Sequence, residues 1–155
     1  FIFVMLLVFL ATLTYTGMNI YNDRNFLLLF NVLLIGVMAI ILFSLTEVTN
    51  NASSKINLII LLGLALLTII ANAIALSAIS FRLSEFGISP NRLAVLGANL
   101  LIFVHLLFVS YGLIKNLKGK ASIQDVEKEI ALFIPAYAVW AAFVTFAMPF
   151  IFKFV

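Results

Sequence analysis

The residues that could carry chemistry in the interior of this sequence are few and uncharged. One histidine, His105, and two asparagines, Asn72 and Asn99, lie inside long apolar runs. A buried imidazole can relay protons or bind a ligand, and the three side chains together could form a substrate site. The same side chains can instead hold neighbouring helices together by hydrogen bonds, which is the favoured interpretation.

Other site chemistries are excluded by the residue inventory. There is no cysteine, so the chain has no disulfide, thiolate nucleophile or zinc–thiolate site, and its one histidine excludes multi-histidine metal ligation. Serines such as Ser77 and Ser110 are present, but no Ser–His spacing is diagnostic of a nucleophile–base pair. We therefore expect a protein that is not an enzyme and has no catalytic residue, metal site or cofactor.

A second group of polar residues lies between two apolar runs. Arg82 and Glu85 are three residues apart and can pair if the preceding helix continues through them. Asn91 and Arg92 fall in the first turn of the next helix, where the helix dipole disfavours a cation. Arg92 therefore needs a partner: Glu85, a lipid phosphate or another chain. The group is a candidate binding or lipid-contact site, and the alternative is an interfacial anchor that fixes the shape of the loop.

The composition identifies a membrane protein. Of the 155 residues, 65% are hydrophobic and only 10% are charged, with a mean hydropathy of +1.27. Soluble domains are about 25% charged, so six acids and nine bases cannot cover a water-exposed surface. A soluble monomer and a disordered chain are excluded. The net charge of +3 comes from only nine bases and six acids and does not indicate a basic surface. We expect membrane lipids and no nucleic acid among its partners.

Five uncharged runs, each at least 22 residues long, divide the chain. Twenty-two residues form a helix of about 33 Å, enough to cross a hydrocarbon core of about 30 Å. Backbone groups in lipid need internal partners, so such runs should be helical. The sequence predicts an all-α integral membrane bundle with five transmembrane helices, at about residues 1–20, 26–46, 56–81, 91–114 and 131–153.

The polar connection before the fifth run has a helical pattern of its own. Ser122 precedes Asp125 by three residues, as in a capping box. Ile123, Val126 and Ile130 follow with helical spacing, with polar residues between them. This pattern predicts a short amphipathic interfacial helix at about residues 122–130.

Small and polar residues form stripes along three of the predicted spans. They are Ala65, Thr68, Ala71, Asn72, Ala75 and Ala78 in the third, Ala94, Ala98, His105 and Gly112 in the fourth, and Ala138, Ala142, Thr145 and Pro149 in the fifth. Such stripes allow helices to approach closely in lipid. The short loop makes the third and fourth spans antiparallel neighbours, and an Asn72–Asn99 bond requires Asn99 to face the third span.

Positive charge gives a weak indication of orientation. Five Lys or Arg residues fall on one side of the five spans and four on the other. The lysines around Gly119 favour a cytoplasmic fourth connection. Because residue 1 lies inside an apolar run, we expect residues 1–155 to be the C-terminal transmembrane domain of a longer protein, in contact with further helices of that protein or with partner subunits.

The loop Arg82-Leu-Ser-Glu-Phe-Gly-Ile-Ser-Pro-Asn-Arg92, followed later by Ala136-Tyr-Ala-Val-Trp140 and Met148-Pro-Phe150, resembles a family of bacterial multi-spanning membrane proteins of unknown function. The resemblance covers roughly residues 70–155. It implies an inner-membrane location and further spans upstream, and it implies no activity.

Two functions fit these observations. The first is a non-catalytic membrane domain that scaffolds or senses in the cell envelope. The alternative is a transport module for a small molecule or ion, with its site around Asn72, Asn99 and His105. A water-filled cavity that reaches His105 would favour transport, and dry, close packing would favour scaffolding.

Overall fold

The computed structural model describes residues 2–15, 24–50 and 55–153, and these residues form helices without any strand. The helices are α1 (Ile2–Tyr15), α2 (Arg24–Asn50), α3 (Lys55–Phe86), α4 (Pro90–Leu117), α5 (Ile123–Ala131), α6 (Ile134–Ala142) and α7 (Met148–Ile151), with a π-helical turn, Phe143–Ala147, between the last two. The all-α prediction is confirmed.

Three helical segments are long and apolar enough to cross a membrane. They are Lys55–Phe86, Pro90–Leu117 and Ile123–Ile151, and Phe30–Leu45 within α2 is apolar but shorter. The count of five spans is therefore not confirmed. The predicted break near residues 19–25 lies largely outside the described residues. Of the predicted break at residues 47–55, residues 51–54 lie outside them, whereas residues 47–50 belong to α2 and Lys55 begins α3.

The packed core lies where α2, α3 and α4 meet. Leu34 and Ile41 of α2, Ala65 and Ala71 of α3, and Leu106 of α4 have no exposed surface. The third segment is peripheral by comparison: 6% of its most apolar stretch is buried, against 44% for α3 and 33% for α4. In a membrane, most of its surface faces lipid or other helices.

Local sequence explains both ends of α4. The Ser89 hydroxyl accepts a hydrogen bond from the backbone N–H of Arg92, and Pro90 occupies the first turn, where no N–H partner is needed. At the other end, Gly119 adopts a left-handed conformation with φ of 67°. Its N–H donates to the Asn116 carbonyl and that of Lys120 to the Lys115 carbonyl, the two bonds of a Schellman motif.

α5 has the predicted capping box. The Ser122 hydroxyl accepts from the Asp125 backbone N–H, and the Asp125 carboxylate accepts from both the hydroxyl and the backbone N–H of Ser122. Val126 and Ile130 are buried against the core, and Ile123 packs beside them, as the spacing predicted.

A π-helical turn interrupts the last segment ahead of Pro149. Proline has no N–H for the Thr145 carbonyl four residues back, and its ring would collide with that carbonyl in an α-helix. The backbone widens instead, so that the N–H of Met148 donates to the Phe143 carbonyl five residues back. The Thr145 hydroxyl donates to the carbonyl of Ala141.

Candidate functional site

The polar side chains in the bundle interior form bridges from one helix to another. The Asn72 amide of α3 donates to the backbone carbonyl of Asn99 in α4, at 3.0 Å. The Asn99 amide in turn donates to the Asn31 side-chain oxygen in α2, at 2.7 Å. Three helices are thus joined by two consecutive hydrogen bonds, which we call the asparagine bridge.

The asparagine bridge agrees in part with the sequence analysis. Asn99 does face the third span, but its backbone carbonyl, not its side chain, accepts the hydrogen bond from Asn72. The Asn99 side chain is bonded to Asn31 instead. Asn31 was not predicted as a member. Its only sequence signal is that it is an amide inside an apolar run, which does not say which helix it faces.

His105 belongs to a different interface. Its Nδ1 lies 3.0 Å from the hydroxyl of Tyr137 in α6, and its ring stacks on Phe133 at 4.7 Å between centroids. The imidazole has no exposed surface. Of the three interior residues singled out in the sequence, the structure therefore joins Asn72 to Asn99 directly and places His105 in a contact between α4 and α6.

The small residues of α4 face the last segment of the chain. The Trp140 indole N–H donates to the Ala94 carbonyl at 3.2 Å, and its ring lies so close to Gly97 that a Cβ there would overlap it. At the other end of the stripe, a Cβ on Gly112 would lie 3.0 Å from a Val126 methyl carbon. The absence of side chains on α4 therefore makes room for α5 and α6.

The loop residues do not form a single cluster. The Arg92 guanidinium donates to the carbonyls of Phe86 and Gly87, at 2.8 and 2.7 Å, and lies over the Phe86 ring. It satisfies carbonyls at the C-terminal end of α3, where the helix dipole favours a cation. Arg82 and Glu85 both lie on α3, yet no ion pair joins them.

Asn91 lines an open groove near the same loop. The groove has a volume of about 440 Å³, and its walls are Ser89, Pro90, Asn91, Ala94, Val144, Met148 and Pro149. It lies between the start of α4 and the π-helical turn. The predicted candidate site thus divides into a capping arginine, a groove residue and two side chains on the last turns of α3.

Among the described residues, three buried polar atoms have no hydrogen-bond partner: Asn72 Oδ1, His105 Nε2 and the Ser110 hydroxyl. A buried polar atom without a partner is costly, so these atoms are the points where an interior ligand would be recognised. Among the described residues, no group of three or more His, Cys, Asp or Glu side chains could hold a metal ion.

Comparisons with known proteins found no match for this chain among protein-family models, curated proteins or solved structures.

Proposed function

We propose that this chain is a non-catalytic membrane domain, a packed helical platform that scaffolds or senses in a bacterial inner membrane. The observation that carries the proposal is how its interior polar groups are used. The asparagine bridge connects three helices, and the His105–Tyr137 contact and the Trp140–Ala94 bond each connect two.

This arrangement supports a structural role because every such bond fixes one helix relative to another. Interhelical hydrogen bonds in membranes contribute about 0.6 kcal/mol on average, and small residues beside them permit close contact. Ala71, Ala75 and Ala78 have no exposed surface, so the inner face of α3 is fully covered by its neighbours. His105 is likewise enclosed, which favours dry packing over an aqueous path.

A scaffold must also present a surface to another protein. The outer face of α6 fits that requirement, because Val139 is 70% exposed while Tyr137 and Trp140 anchor the same helix to α4. A photo-crosslinking residue at Val139 should therefore give a discrete protein adduct in native membranes. The same probe at the buried Leu106 is the matched control and should give none. A probe at Val139 that captures only lipid would contradict scaffolding.

The transport alternative has one observation in its favour, the unpartnered Asn72 Oδ1 and His105 Nε2 atoms. Proteoliposomes with a pH-sensitive dye inside distinguish the two functions. Scaffolding predicts that wild type and His105→Phe leak protons equally slowly while His105→Phe is less stable. Proton flux in wild type that His105→Phe abolishes, without loss of stability, would establish transport instead.

A further inference from the structure

We propose that the outer face of α4 and the turn after it bind an anionic phospholipid. The site consists of Leu107, Tyr111 and Lys115 on the helix, Lys118 at its C-terminal cap and Lys120 in the turn, and we call it the lysine corner. It is separate from the Arg82–Arg92 loop, which lies at the other end of α4.

The members of the lysine corner from Leu107 to Lys118 lie on one face of α4. Their spacing of four, four and three residues keeps the side chains within about 80° of one another around the helix axis. Leu107 and Tyr111 are 46% and 57% exposed, although each is a large apolar or aromatic side chain. This face is therefore uncovered by the rest of the described chain and meets the bilayer.

Along this face the side chains change from apolar to aromatic to cationic, which matches the order of acyl chain, interfacial region and headgroup in a phospholipid. From Leu107 to Lys118 is 11 residues, or about 16 Å, roughly half of a hydrocarbon core of about 30 Å. Leu107 lies at the depth of acyl chains, Tyr111 at the depth where interfacial aromatic residues concentrate, and the lysines at the depth of headgroups. The face thus matches one lipid leaflet from tail to phosphate.

The turn that carries the lysines is held in place, and the lysines lack anionic partners among the described residues. The Schellman bonds of Gly119 and Lys120 fix the turn, and the Asn116 amide ties it to the Ala121 carbonyl at 3.0 Å. The Lys115 ammonium lies 4.4 Å from the centroid of the Tyr111 ring. None of the three lysines is ion-paired in the described part of the chain. Three unneutralised cations at headgroup depth are complementary to a phospholipid with net negative charge.

The helix dipole alone accounts for some of this positive charge, because cations stabilise a helix C-terminus. It does not account for Lys120, which follows the end of the helix, or for the exposed leucine and tyrosine in line with the lysines. Only lipid binding predicts that the protein prefers an anionic phospholipid to a zwitterionic one.

The test compares retention of phosphatidylglycerol with retention of zwitterionic phosphatidylcholine. The full chain is reconstituted in nanodiscs of mixed lipid and extracted gently, and retained lipid is counted by native mass spectrometry. Wild type should retain phosphatidylglycerol preferentially. Each juxtamembrane cation contributes about fivefold at an anionic surface, so Lys115→Gln, Lys118→Gln and Lys120→Gln together should weaken retention by about 100-fold.

The matched control is the triple variant Lys55→Gln, Lys128→Gln and Lys153→Gln, which removes the same charge from exposed lysines elsewhere. Because these lysines are not aligned with Leu107 and Tyr111 on one helix face, it should lose clearly less phosphatidylglycerol than the lysine-corner variant does. A second measurement needs no variant: raising the salt concentration should release phosphatidylglycerol from wild type, because screening weakens exposed charge pairs. Equal retention of the two lipids by wild type, salt-independent retention, or equal losses in the two triple variants would overturn the proposal.

Discussion

Replacement of Gly97 by alanine tests whether the last segment is anchored to α4 through its small residues. A Cβ at this position would overlap three atoms of the Trp140 indole ring, so the ring must move. Moving the ring strains the packing, which destabilises the fold by about 1–3 kcal/mol. It also breaks the hydrogen bond to the Ala94 carbonyl, which costs about 0.5–1.5 kcal/mol. Alanine has a higher helix propensity than glycine, and this offsets about 1 kcal/mol of the destabilisation. The net expectation is destabilisation by about 0.5–3.5 kcal/mol.

Gly36 in α2 supplies the matched control, because a Cβ there meets nothing within 4 Å. Gly36→Ala should therefore leave stability unchanged or raise it by up to about 1 kcal/mol. Gly112→Ala should fall between the two, since its Cβ would lie 3.0 Å from a Val126 methyl that can shift slightly. Unfolding by SDS in mixed micelles, followed by Trp140 fluorescence and helix content, measures all three.

A second substitution makes the test specific to the indole contact. Trp140→Leu removes the ring, so adding Gly97→Ala to it should cost little, and the two changes should be strongly non-additive. The reasoning fails if Gly97→Ala is as stable as Gly36→Ala. It also fails if Gly97→Ala is equally destabilising with and without the Trp140 ring.

Three further expectations follow from the polar contacts. Arg92→Gln should lower the free energy of unfolding by about 1 kcal/mol, because the loop loses a charged donor to two carbonyls in a partly exposed setting, and Arg92→Lys should recover part of it in the same SDS titration. Tyr137→Phe should cost about 1 kcal/mol in wild type and less in a His105→Phe background, as a double-mutant cycle would show. Ser122→Ala should lower the free energy of unfolding by about 1 kcal/mol in the same SDS titration, because the N-terminus of α5 loses its side-chain cap.

Local signals in the sequence located several helix boundaries correctly. Ser89 and Pro90 start α4, and Ser122 and Asp125 form the capping box of α5, because capping depends on residues within one turn. The uncharged runs likewise predicted an all-helical membrane chain. Periodicity also gave the buried face of α5, since Val126 and Ile130 point to the core.

The partners of interior residues could not be predicted in the same way. Spacing places residues on a face, but it does not say which neighbouring helix covers that face. Asn99 sends its side chain to Asn31, 68 residues away in the chain, and His105 meets Tyr137, 32 residues away. The partner of Arg92 could not be identified from the sequence either. The helix-dipole argument required a partner for this cation, and the structure supplies the carbonyls of Phe86 and Gly87 at the C-terminal end of α3.

The α4 helix has three faces with different neighbours. At 100° per residue, Asn99, Leu106 and Leu113 lie together toward α2 and α3. His105 and Gly112 lie roughly a third of a turn away, toward α6 and α5, and Gly97 lies roughly half a turn away, against Trp140. The remaining face carries the lysine corner. Large residues on α4 are therefore either enclosed in the core, as Leu106 and Leu113 are, or exposed on the outer face, as Leu107 and Tyr111 are. The positions that contact α5 and α6 are small or hydrogen-bonded instead, and a larger residue at Gly97 would overlap the Trp140 ring.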